Sequence, residues 1–189
     1  MTEVPPQAAF RRLLVIAAND EGDAALFRRA GSLAEAWGAE LEVLHVVEPP
    51  AEIDRIAKAI GMRVADLETR MEADARTALC TRLSDALPDR SAEVRIRVGK
   101  TFIEIIRHVE AHGADLVLKA AEMLGGERSS LFASTDQHLL RKCPCPVWLV
   151  PPSARPRVCT ILAAVDIDTG QAANGDDIGG FTIPFSINL

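Results

Sequence analysis

Several groups of residues in this chain have the types and spacing to do chemistry. Gly99-Lys100-Thr101 copies the end of a phosphate-binding P-loop, where amides and a lysine cradle phosphate and a hydroxyl meets its magnesium. That loop also needs glycine five residues before Gly99, and Val94 stands there inside a strand-like run. A strand end followed by a Thr101/Glu104 capping box accounts for the residues better. Glu104, His108 and His112 share one helical face and are metal-ligand types. Along a straight helix they span about 12 Å of axis, too long to converge on one ion, although His108 with His112 could hold zinc weakly. Phe102, Ile105, Ile106 and Val109 supply that helix with an inward face, so the histidines are expected on the solvated side. Cys143-Pro144-Cys145 has neither zinc nor thioredoxin-type spacing, and the chain has no C-x-x-C. All four cysteines read as reduced structural thiols, with Cys145 expected to react first. His138 has no identifiable nucleophile partner and reads as a packing or capping residue. No G-x-S-x-G, H-E-x-x-H, S-x-x-K or dinucleotide glycine fingerprint occurs, so no catalytic site and no metal site are expected.

The strongest pointer is the order of elements in residues 119–150. A buried-looking strand at 114–118 leads into a loop with Gly125, Gly126, Ser129 and Ser130, and a short helix opens at Ser134. An apolar strand, Val147–Val150, follows. Strand, glycine-bearing loop and helix N-terminus in that order is where doubly wound α/β proteins hold phosphate.

The elements that must position this loop alternate along the chain. Residues 12–18 (RLLVIAA) are a continuous apolar run, as in a strand buried on both faces. Residues 24–37 have helical spacing and stop at Gly38. A second strand is expected over residues 40–47, a helical insertion over 51–60, and a long helix over 64–87, ended by Pro88. The third strand, 92–98, alternates and reads as an edge. Five strands alternating with helices predict a doubly wound parallel sheet with helices on both faces.

Composition excludes several classes. A hydrophobic fraction of 48% in 189 residues is ample for one core, and a net charge of −6 argues against nucleic acid as a partner. No apolar run approaches the roughly 18 residues of a membrane span, and the N-terminus does not read as a signal peptide. A cytoplasmic protein without membrane contact is expected. Residues 151–156 read as a linker, and Ile161-Leu162-Ala163-Ala164-Val165 looks like a second copy of Leu13-Leu14-Val15-Ile16-Ala17. The expected organisation is one domain over 1–153, a linker and first strand of a truncated second repeat over 154–168, and a disordered tail over 169–189.

The strand-and-helix run ADLVLKAA and the run Ser134-Thr135-Asp136-Gln137-His138-Leu139-Leu140-Arg141-Lys142-Cys143-Pro144 resemble the universal stress protein family, in particular the first domain of its tandem E type. The resemblance covers residues 11–152 and implies the strand order 3-2-1-4-5. It also implies a nucleotide site at Ala18, Val46, Gly99, Ala120, Met123, Ala133 and Ser134. At those places nucleotide-binding members carry an acid at the end of the first strand and the pattern Gly, two residues, Gly, nine residues, Gly, then Ser or Thr. Here the acid is Ala18 and the three glycines are Ala120, Met123 and Ala133; of the phosphate-loop pattern only Ser134 is kept. Ser134 and Gln137 fit a capping box, and Asp136 sets a carboxylate at the positive end of the helix dipole. No cofactor is therefore expected. The reading is a non-enzymatic stress-response protein acting through protein contacts or an apolar ligand, and the alternative is an ATP- or AMP-binding sensor with a degenerate loop. Relatives pair the Val147–Val150 edge with a second domain, so a homodimer or larger assembly through that strand is expected, or one made by swapping 158–165.

Overall fold

The computed structural model describes residues 10–121 and 134–151. The segments expected as linker, second-repeat strand and tail lie outside these residues, as do Met123 and Ala133. The element order is β1 (Arg12–Ala17), α1 (Asp23–Trp37), β2 (Glu40–Val47), α2 (Ile53–Ala59), α3 (Val64–Ala86), β3 (Glu93–Val98), α4 (Thr101–His112), β4 (Leu116–Ala120), α5 (Ser134–Lys142) and β5 (Val147–Val150). All strand pairs are parallel, in the order β3-β2-β1-β4-β5. The expected fold and strand order are those observed, and β3 is an edge as its alternation suggested.

Period-two alternation along the central strands divides the core between two faces. Leu13, Val15 and Ala17 of β1 pack with Leu26, Phe27 and Ala30 of α1 and Leu79 and Leu83 of α3. Leu14 and Ile16 point the other way, joining Ile105 and Val109 of α4 and Leu139 of α5. Because both faces are covered, β1 and β4 are buried almost end to end. Helix α3 is about 34 Å long at 1.5 Å per residue, and only Leu79 and Leu83 near its C-terminal end are buried. Its earlier apolar residues, Val64, Leu67 and Met71, are half-buried rather than core.

At the amino edge of the sheet, Asp115 ties β1 to the start of β4 by accepting hydrogen bonds from the Arg11 and Arg12 amides at 2.8 and 2.9 Å. Beside it lies an open cavity of about 880 Å³, lined by both signs of charge, among them Arg12, Glu40, Glu42 and Glu93, with His112. The structure corrects the expectation for His108 here. The residue is 2% exposed, on the inward face of α4, with Nε2 2.9 Å from Glu42 Oε1 on β2 and its ring stacked on His112. Position 108 lies about 60° around the helix from Ile105, on the side away from Val109, so it still borders their buried stripe. Glu42 faces the same layer, and Arg95 Nε stands 3.4 Å from its carboxylate. No group of three or more metal-ligating side chains occurs among the described residues.

The hydrogen bond from His108, outweighing burial, holds the Glu42 carboxyl below its ordinary value of 4.5. A lowered folded-state value stabilises the fold above the unfolded value and is lost as pH falls through the folded one. Glu42→Gln should therefore flatten the loss of stability on acidification below pH 4.5, measured by denaturant titration on either side of that pH. An unchanged acid dependence would show that the contact carries no charge-dependent energy.

Candidate functional site

The carboxyl edge of the sheet is where a doubly wound fold binds ligands, at the switch point between β1 and β4. Among the described residues, three of the protein's own carboxylates stand at this edge. After β1, the chain turns through Ala18, Asn19 and Asp20, whose amides donate to the Asp23 carboxylate at 3.0, 2.7 and 3.2 Å. Asp23 is 1% exposed, and burial raises its pKa against the lowering effect of those amides. Asn19, at a φ of 65°, turns its amide group to α3, where Nδ2 donates to Ala75 O at 3.3 Å and Oδ1 accepts from Arg82.

The second carboxylate is Glu48, just beyond β2. Its Oε1 accepts the Thr101 amide at 2.6 Å, and that bond holds its pKa below the usual value. The expected Thr101/Glu104 capping box is therefore not formed. Helix α4 has no side-chain cap of its own, and Glu104 instead accepts from Arg107 at 2.6 Å. Gly99 makes the turn into α4, with a φ of 148° and its amide bonded to Val47 O at 3.0 Å. A Cβ there would come within 3.0 Å of Glu104 Cγ. Glycine at 99 is explained by this turn.

The third carboxylate is Asp136, in the first turn of α5, and its side chain is 0% exposed. Lys119, the fourth residue of β4, reaches it with Nζ 2.9 Å from Oδ1 and also donates to Ala120 O at 3.1 Å. Both side chains are buried, Lys119 with 7% and Asp136 with 0% of its side chain exposed. The pair spans the gap between the end of β4 and the start of α5, which is where a bound phosphate would have to sit to use the helix N-terminus. The Ser134 side chain lies outside the described structure, so its capping box with Gln137 is not part of this geometry.

The residues implied by the family resemblance are only partly brought together. Ala18 is exposed just past β1, and Ala120 ends β4 one strand away, consistent with the register Ile16↔Lys119. Val46 is a core residue of the α4/α5 layer. Gly99 sits past β3, bonded to β2, and Ser134 is the first residue of α5. The sequence reading missed Lys119, Asp23 and Glu48. One signal was available for Lys119: a cation in the apolar run LVLKA of a central strand demands a counter-charge, and Asp136 is the acid at the facing helix start. His138 is a packing residue as expected, stacked on Phe102 at 4.3 Å between centroids. The paired cysteines share a hydrogen bond 3.7 Å long between sulfurs, which lowers the Cys143 pKa to about 7 and pushes Cys145 up.

This arrangement defines a doubly wound α/β domain with three of its own carboxylates bonded or buried at the carboxyl edge of the sheet. The universal stress protein family model matches residues 9–151, and the chain belongs to that family. It is 43% identical to Universal stress protein E of Escherichia coli K12 over 68 residues, 36% of this chain and 22% of that protein. With Universal stress protein E of Salmonella typhi it shares 29% identity over 166 residues, covering 85% of this chain and 51% of the relative. The chain thus spans about half the length of that relative. Among solved structures, UspA from Lactobacillus plantarum superposes with a TM-score of 0.58 at 20% identity, covering 75% of this chain and 97% of that one. A universal stress protein in complex with cAMP superposes with a TM-score of 0.52 at 20% identity, over 76% and 98%. These two likenesses establish the fold.

Removing one member of a buried ion pair leaves the other charge in a dry site, at a cost of about 3–5 kcal/mol, whereas replacing both with apolar groups is often neutral. Lys119→Met and Asp136→Leu should each lower unfolding free energy by about that amount, and the double variant should recover most of it. Additive losses in chemical denaturation would show that the two charges do not act as a pair.

Proposed function

We propose that this chain is a non-enzymatic stress-response protein of the cytoplasm that holds no ATP and acts through protein contacts or an apolar ligand. The observation that carries this reading is the buried Lys119–Asp136 pair at the start of α5. A phosphate entering there would face the Asp136 carboxylate and would have to take Lys119 from it. Supporting this, the amides of the β1–α1 turn and of Thr101 already donate to Asp23 and Glu48. Among the described residues no helix is long and apolar enough to cross a membrane. The cavity at the amino edge has a mixed charged lining, which favours protein contacts over an apolar ligand.

The second reading is an adenine-nucleotide sensor, with ATP or AMP in a degenerate site. It is favoured by the solved relative in complex with cAMP and by the retained layout of the crevice. Thermal melting separates the two. A ligand at 100 times its dissociation constant adds about 2.7 kcal/mol, or roughly 5–11 °C for a domain of this size. Millimolar ATP with magnesium, or AMP, should leave the melting temperature unchanged. A rise with nucleotide that inorganic phosphate does not reproduce would overturn the first reading.

The proposal extends to self-association through β5. Among the described residues this four-residue apolar strand, VWLV, is an edge of the sheet, and a ladder edge is a template for another chain. Trp148 packs partly back on the α1 layer, with Arg29 5.7 Å above its ring, so the contact would be made chiefly by the backbone edge. Light scattering at micromolar concentration should give a dimer or larger species, retained after truncation following Pro152. A monomer under those conditions would contradict the edge contact.

A further inference from the structure

We propose that Cys143 and Cys145 form a redox site, a dithiol that a hydroperoxide converts to an intrachain disulfide. The two sulfurs lie 3.7 Å apart, within hydrogen-bonding distance for thiols. The segment between them is held at both ends. The Cys143 amide closes the last turn of α5 on Leu139 O at 2.9 Å, and Pro146 O accepts the Val117 amide of β4 at 3.0 Å. Both cysteines are half-buried against the α4/α5 layer, which sets the pair on fixed backbone rather than on a free loop. A disulfide needs about 2.05 Å between sulfurs, so closure is a side-chain movement of under 2 Å.

The geometry gives the two thiols different roles. The two sulfurs share one hydrogen bond that either thiol can donate, and with Cys145 beside Asp115 as its donor the Cys143 thiol is held down at about 7. Serving as donor, together with burial and the nearby Asp115 carboxylate, keeps Cys145 protonated. Cys143 is then the attacking sulfur and Cys145 the resolving one. The Cys143 thiolate attacks the terminal peroxide oxygen; the O–O bond breaks, and the departing oxyanion takes a proton to leave as alcohol or water. The resulting sulfenic acid is attacked by the Cys145 sulfur as its proton leaves. The S–O bond breaks, water departs with that proton, and the S–S bond forms. Two thiols are oxidised and one hydroperoxide is reduced, and an external dithiol reverses the change.

A thiol of pKa 7 is about half ionised at pH 7, against about 3% for an ordinary thiol near 8.5. The lower intrinsic nucleophilicity of the more acidic thiol offsets about fivefold of that gain. The net expectation is oxidation roughly threefold faster than a simple peptide thiol. The full chain would be treated with substoichiometric hydrogen peroxide, alkylated, and mapped by mass spectrometry, with exposed Cys80 as internal comparison. The peptide spanning 143–145 should lose both alkylation sites and the mass of two hydrogens, and dithiothreitol should restore them. In Cys145→Ala, the half-point for Cys143 alkylation should rise from about pH 7 toward about 8.5, and peroxide should leave a dimedone-reactive sulfenic acid. Oxidation of Cys80 while the pair stays alkylatable would overturn the proposal. So would an alkylation half-point unchanged by Cys145→Ala. The wild-type mapping decides the matter should the variant fail to fold.

Discussion

Lys119 and Asp136 are the constraint around which the carboxyl edge of this domain is arranged. Lys119 interrupts an otherwise apolar central strand, and it is buried, with only 6% of its surface exposed. A buried cation of that kind requires a close anion, and α5 supplies one from its first turn at 2.9 Å. Net stability gained from such a pair is small, because desolvation cancels most of the attraction, while breaking it is costly. The pair therefore acts mainly on geometry. It fixes the start of α5 over the end of β4 and leaves the positive end of the helix dipole already matched by a carboxylate.

The same logic recurs around the crevice. Asp23 gathers the three amides of the β1–α1 turn, and Glu48 reaches from β2 to the first amide of α4. Among the described residues, carboxylates of the chain itself accept these four amides. The universal stress protein scaffold is thus retained, with the amides of the β1–α1 turn and of Thr101 bonded internally.

Most of the fold was legible because it depends on local pattern. The continuous runs in β1 and β4, the helical stripe before Gly38 and the edge alternation of β3 each record burial on two faces, one face or part of one. Strand order came only with the family resemblance, since parallel neighbours meet through crossovers whose course spacing does not record. The site was less legible. Residues 40–47 read as a strand without any role for Glu42, and the parallel strand, covered on both faces, turns that carboxylate into the α4 layer, where His108 meets it. Thr101 and Glu104 had the spacing of a capping box, but Glu48, 53 residues earlier, reached the Thr101 amide. In each case a side chain distant in sequence won over a local partner, and such partners become visible only once the strands are placed side by side.

The central claim, that internal charges occupy the phosphate seat, is tested most directly by what the protein carries when it leaves the cell. Protein purified without added nucleotide would be denatured, and the released small molecules separated by ion-exchange chromatography against ATP, AMP and cAMP standards. The account predicts no adenine nucleotide above the level released from an unrelated control protein. Release of any of them in amounts approaching one per chain would contradict it.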